Sequence, residues 1–127
     1  RVAHSYNSFL KDVDGLQLPH EAEWARNVYW MYAVVLRPEF GMTRDELVDH
    51  LRKEGIDTRT FFCPMNQQPC LQKRPGFREV PCPVADNLWE NGLYLPSTYT
   101  LEKPVIEKIA DVVGRASGGR KEAVSHL

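Results

Sequence analysis

The chain has 127 residues, 16 Lys and Arg against 17 Asp and Glu, 43% hydrophobic residues, 9 Pro and 8 Gly. That is the profile of one compact domain able to own a core without a structural metal or disulfide. A net charge of −1, a sequence pI near 6.5 and scattered basic residues provide no field for nucleic acid or an anionic membrane surface. The longest apolar run, Val28 to Leu36, is less than half the ~20 residues of a spanning helix. With no signal-like apolar stretch at the start, the chain reads as cytoplasmic.

Val2, Tyr6, Phe9, Leu10 and Val13 share one helical face, which predicts a first helix over 1–14 with Gly15 as its left-handed cap. The pattern already runs at Val2, so this element is expected to continue from residues upstream. Leu16 to Pro19 reads as extended and turn-like. The run Val28 to Leu36 reads as a strand covered on both faces, and the crowding of Trp24, Tyr29, Trp30 and Tyr32 around it predicts a covering partner outside this chain.

Thr43 and Glu46 form a capping box for a helix with Leu47, Val48 and Leu51 on its inner face and Gly55 at its end. Ile56 to Phe62 reads as a short strand. Pro83 opens a two-turn helix closed near Gly92, Leu93 to Leu95 is a brief strand stopped by Pro96, and Val105, Ile106, Ile109, Val112 and Val113 stripe a helix ending before Gly114. The fold class is therefore α/β, in the sense of a two-layer α+β domain over residues 1–116. It has a small, mostly antiparallel sheet of about three strands with about four helices packed on it. Residues 117–127, small and polar, read as a disordered tail.

From Cys63 to Cys82 run twenty residues with neither helical nor alternating pattern and with four prolines. Such a segment reads either as a held loop, whose Asn66, Gln67 and Gln68 amides suit a neutral polar ligand, or as a strap over a sheet edge. Cys63, Cys70 and Cys82 lack paired zinc-knuckle spacing, so a Cys3His site completed by His50 competes poorly with three reduced thiols. No Ser, Cys or His stands in a recognisable triad, no glycine-rich phosphate loop opens a helix, and no lysine looks desolvated enough to act as a nucleophile.

Residues 55–69, Gly-Ile-Asp-Thr-Arg-Thr-Phe-Phe-Cys-Pro-Met-Asn-Gln-Gln-Pro, closely resemble the Gly-Ile-x-Thr-Arg-x-Phe-Phe-x-Pro-Leu/Met-His-x-Gln-Pro stretch of the DegT/DnrJ/EryC1/StrS sugar aminotransferases. Four further stretches resemble that family in the same order: Ser5 to Pro19, Asn27 to Tyr32, Pro83 to Leu88 and Leu93 to Ser97. The resemblance, which covers residues 2–114, implies the C-terminal small domain of a fold-type I enzyme dependent on pyridoxal phosphate. Such an enzyme moves an amino group, usually from glutamate, to a keto-deoxy sugar carried on a nucleoside diphosphate, and the Thr-Arg-x-Phe-Phe version leans towards the perosamine-synthase-like branch with a GDP-linked 4-keto-6-deoxy sugar. The family's aldimine lysine and phosphate cup belong to an N-terminal large domain without a counterpart here, so the chain is expected neither to hold the cofactor nor to be active alone, and its parent is expected to be a homodimer. Arg59 is the candidate for a substrate carboxylate or phosphate, with Asp57 as a competing ion-pair partner. Asn66 and Gln68 are candidates for neutral hydrogen bonds to substrate. Asn66 stands where the family commonly has His and cannot exchange a proton at neutral pH. The rival expectation is a free-standing ligand-binding or interaction module derived from such a domain.

Overall fold

The computed structural model describes residues 1–118. In chain order it contains α1 (Val2–Leu10), β1 (Leu16–Gln17), β2 (Tyr32–Leu36), α2 (Arg44–Lys53), β3 (Arg59–Thr60), α3 (Pro69–Gln72), α4 (Pro83–Asn91), β4 (Gly92–Leu95) and α5 (Lys103–Gly118). Single 3-10 turns lie at Pro38–Phe40 and Met65–Gln67. The strands form one sheet in the order β1-β2-β4-β3 with every neighbouring pair antiparallel.

The centre of the sheet is the ladder between β2 and β4, in which Tyr32, Ala33, Val34 and Val35 face Leu95, Tyr94, Leu93 and Gly92. Because side chains alternate along a strand, Tyr32, Val34, Leu36, Leu93 and Leu95 enter one hydrophobic core with the buried residues of α1, α2 and α5. Ala33, Val35 and Tyr94 occupy the opposite face, and Val35, although buried, stands outside that core cluster. The result is two layers, with α1, α2 and α5 on one side of the sheet and a partly open second side.

Two tyrosines tie the layers together. Tyr6 of α1 and Tyr32 of β2 stack at 4.6 Å between ring centroids. The Tyr6 hydroxyl donates to the Pro96 carbonyl at 2.8 Å, and that of Tyr32 donates to Asn7 Oδ1 at 2.6 Å. Burial pushes both phenols well above the ordinary tyrosine range, so both stay neutral donors.

Several sequence expectations change in the structure. The first helix stops at Leu10 instead of residue 14, where Asp12 and Asp14 would oppose the negative end of the helix dipole. β2 begins at Tyr32 instead of Val28, because Asn27 Oδ1 accepts from the Tyr29 amide at 2.8 Å and Tyr29 takes a left-handed φ of 50°. This side-chain turn breaks the extended run, and Trp24, Val28 and Trp30 remain 89%, 84% and 74% exposed. Of Ile56 to Phe62 only Arg59 and Thr60 pair as strand, while Ile56 turns into the core. α5 runs through Gly114, since Val112, Val113 and Ala116 pack around it and outweigh the poor helix propensity of one glycine. The expected structureless loop carries a 3-10 turn and the single-turn α3. Ser117 and Gly118 close α5, and the rest of the expected tail lies outside the described residues.

Other expectations hold. Thr43 Oγ1 accepts from the Glu46 amide at 3.3 Å while the Glu46 carboxylate accepts from the Thr43 amide at 2.7 Å. α4 starts at Pro83, and β4 ends before Pro96.

Gly15 does not cap α1. It sits at φ +70° at the entry to β1, and its bare Cα allows the Phe40 backbone to close on it: a Cβ there would lie 2.0 Å from the Phe40 amide nitrogen. Gly55 has a similar φ of +75° with open space around it. Both pay the left-handed penalty if changed to alanine, but only Gly15 adds a backbone clash. Gly55→Ala is expected to cost about 1–2 kcal/mol and Gly15→Ala upwards of about 3 kcal/mol, read from urea unfolding midpoints. Equal losses would show that the Gly15–Phe40 approach is not a constraint.

Candidate functional site

Arg59 lies on the edge strand β3 directly across from Tyr94 of β4. The two help line a hollow of about 320 Å³ with Met31, Asp57, Pro96 and Ser97. Phe61, two residues beyond Arg59, stacks on the Tyr94 ring at 4.8 Å. Partial burial raises the Tyr94 phenol above its usual value and keeps it protonated. Arg59 is exposed, and no carboxylate lies within ion-pair distance of it among the described residues. The competing Arg59–Asp57 ion pair is therefore not formed.

Asn66 and Gln68 belong to a different arrangement. Asn66 Nδ2 and Gln67 Nε2 both donate to Asp86 Oδ1 of α4, at 3.3 and 2.6 Å. Gln68 Nε2 donates to the Cys63 carbonyl at 3.0 Å, and Gln72 Nε2 to the Asn66 carbonyl at 3.2 Å. These amides hold the loop to α4 and to itself. Neither Asn66 nor Gln68 lines the hollow beside Arg59, so the structure does not gather the three expected residues round one cavity. Asp86 is a residue that sequence reasoning passed over; an acidic side chain in the first turn of a proline-started helix was the available signal, but nothing local names its partners twenty residues away.

Arg44, at the start of α2, also escaped notice. Its Nη1 donates to the Trp89 carbonyl at 3.0 Å and to that of Gly92 at 3.4 Å, and its guanidinium lies 5.6 Å from the Trp89 ring centroid. It clamps the α4–β4 junction and with it the strand against which Arg59 is paired.

Among the described residues no group of three or more His, Cys, Asp or Glu side chains is placed to hold a metal ion, and Cys63, Cys70 and Cys82 are free thiols. His50 stands half-exposed on the flank of α2. No described helix is long and apolar enough to cross a membrane.

A family model of the DegT/DnrJ/EryC1/StrS aminotransferases matches residues 1–114, and the chain belongs to this family. GDP-perosamine synthase of Caulobacter vibrioides is 41% identical over 91 residues, covering 72% of this chain and 24% of the relative. The spore coat polysaccharide biosynthesis protein SpsC of Bacillus subtilis is 29% identical over 118 residues, 88% of this chain and 30% of the relative. Among solved structures, DesI in the presence of its TDP-sugar product superimposes with a TM-score of 0.79 at 25% identity, over 99% of this chain and 32% of that one. DesV of S. venezuelae in complex with a ketimine intermediate gives 0.77 at 30% identity, over 91% of this chain and 30% of that one. The chain thus spans about a quarter to a third of the length of the relatives it matches.

The described residues do not make a pyridoxal phosphate site. A cofactor-bearing lysine must be desolvated or set beside another cation to react at neutral pH, whereas Lys11, Lys53, Lys73, Lys103 and Lys108 are all exposed and, among the described residues, no polar or charged residue is buried. What this chain offers is a charged hollow and a hydrogen-bonded loop.

If Asp86 is what orders that loop, Asp86→Ala is expected to speed limited proteolysis between residues 63 and 73 several-fold. Overall stability should fall by only about 1 kcal/mol, as for hydrogen bonds to a partly solvated carboxylate. Unchanged cleavage would show that the prolines alone hold the loop.

Proposed function

We propose that this chain is the C-terminal small domain of a pyridoxal-phosphate-dependent aminotransferase of the perosamine-synthase-like branch. The enzyme transfers an amino group from glutamate to a nucleotide-linked keto-deoxy sugar. The observation that carries this reading is the family match across residues 1–114, together with 41% identity to a GDP-perosamine synthase over 72% of the chain.

In this reading the electron-sink chemistry belongs to the cofactor, held by an N-terminal large domain. The contribution of the present residues is to bind and orient. Arg59, exposed and without a carboxylate partner, supplies a charge-assisted and potentially bidentate contact to an anionic group of substrate. Asn66 and Gln68 shape the neighbouring loop, and their bonds to Asp86 and Cys63 keep its backbone in one conformation before substrate arrives. With Asn in place of the family's usual His, position 66 binds and orders but transfers no proton. The large domain covers the apolar approach to β2, where Trp24, Val28 and Trp30 stand clear of the core. The whole enzyme works in the cytoplasm as a homodimer, with nucleotide sugar and glutamate as its small-molecule partners.

The test is turnover by the longer protein bearing these residues, supplied with pyridoxal phosphate, glutamate and a GDP-linked 4-keto-6-deoxy sugar. It is expected to release 2-oxoglutarate in step with aminated sugar, while the 127-residue chain alone yields neither product nor a borohydride-fixed cofactor. Absence of 2-oxoglutarate with every nucleotide-linked keto sugar tried, or a site-specific cofactor adduct on the short chain, would contradict the proposal.

A further inference from the structure

Of the asparagines in the chain, only Asn91 is followed by glycine. An asparagine in that setting is chemically labile, because a next residue without a Cβ leaves its backbone nitrogen free to approach the side-chain amide carbon. The pair sits at the α4–β4 junction, where packing dictates the glycine: a Cβ at position 92 would lie 2.5 Å from the Leu88 carbonyl oxygen and 2.7 Å from the Phe61 ring. Its φ of −96° is open to any residue, so Gly92 serves close approach and not conformational freedom. The fold needs the very residue that makes its neighbour reactive.

The same junction holds the reacting atoms in place. The Gly92 amide donates to the Leu88 carbonyl, and Asn91 Nδ2 donates to the Asn87 carbonyl at 3.2 Å. From α2, Arg44 Nη1 bridges the Trp89 and Gly92 carbonyls at 3.0 and 3.4 Å, and the Gly92 carbonyl also accepts from the Phe61 amide at 3.3 Å. The backbone is thus pinned on both sides of Asn91.

We propose that Asn91–Gly92 is a latent deamidation site, silenced by the α4–β4 junction and opened when the Arg44 clamp is lost.

The Gly92 backbone nitrogen attacks Asn91 Cγ. A bond forms between them, the Cγ–Nδ2 bond breaks, and Nδ2 leaves as ammonia with the proton that the Gly92 nitrogen gives up. Water then opens the cyclic imide at either carbonyl, leaving aspartate or isoaspartate. Closure requires the Gly92 amide to let go of the Leu88 carbonyl and its peptide plane to turn, which is a local opening of the junction. Either product places a negative charge at the C-terminal end of α4, where the helix dipole opposes it. Isoaspartate also inserts an extra carbon into the backbone beside the Val35–Gly92 pair that ends the central ladder. This chemistry belongs to the chain whatever reaction the longer protein catalyses.

The 127-residue chain is incubated at mildly alkaline pH, folded and in urea, and conversion at Asn91 is followed by peptide mapping in a mass spectrometer. In the folded chain it is expected to run at least about tenfold slower than in the unfolded one. Arg44→Ala should raise the folded rate about tenfold, as for loss of one charge-assisted hydrogen bond. Arg44→Lys, which keeps the charge without the forked donors, should raise it by less and stays readable where the alanine variant does not fold. Gly55→Ala, which lowers global stability at the other end of α2, should leave it unchanged. Equal rates in the folded and unfolded chain, Arg44 variants that leave the rate where it was, or an acceleration by Gly55→Ala as large as that by the Arg44 variants would each overturn the proposal.

Discussion

The antiparallel ladder between β2 and β4 is the constraint from which the rest of the molecule follows. Four residue pairs fix its register, and because side chains alternate, a slip by one residue would carry the whole inner set to the other face. Were β4 the strand to slip, Leu93 and Leu95 would leave the core they share with α1, α2 and α5, and Tyr94 would enter it. The same register decides what the open face presents. Arg59 stands beside Tyr94 because β3 is paired to β4 and β4 to β2, so a core requirement sets the position of a surface guanidinium.

The two sides of the sheet are held by different physics. On the inner side the core is apolar, and the stacked Tyr6 and Tyr32 within it have both hydroxyls bonded. On the outer side, order comes from hydrogen bonds between partly exposed groups: Arg44 to the α4–β4 junction, and Asn66 and Gln67 to Asp86. Such contacts are individually modest. They fix the geometry of the outer side, where Asp57 and Arg59 stand exposed.

Elements whose determinants are local were readable from the residues. The Thr43–Glu46 capping box, Pro83 at the head of α4, Pro96 after β4 and the apolar stripe of α5 each sit within one or two turns of the feature they specify. β1 and β3 lie inside the stretches expected to be extended, Leu16 to Pro19 and Ile56 to Phe62, but each pairs over two residues, too few for a periodicity to set its bounds. The start of β2 departs from the apolar run because one side chain, Asn27, redirects a backbone whose composition otherwise favours strand. For the site, the residue types at 59, 66 and 68 announced charge and hydrogen-bonding capacity, but their partners are set by topology. Asp86 meets Asn66 and Tyr94 meets Arg59 only once β4 has been laid between β2 and β3.

These residues form one lobe with a core of its own, which belongs to the DegT/DnrJ/EryC1/StrS aminotransferase family and is open on the face that carries Arg59. Amide hydrogen exchange on the 127-residue chain tests it most directly, since exchange rates rank local against global opening. Hydrogen-bonded amides of β2 and β4 are expected to exchange slowest and only with unfolding of the whole core, while those between residues 63 and 82 exchange well before them. Amides of β2 and β4 exchanging as fast as that loop would mean that the sheet has no independent stability, and would contradict the account.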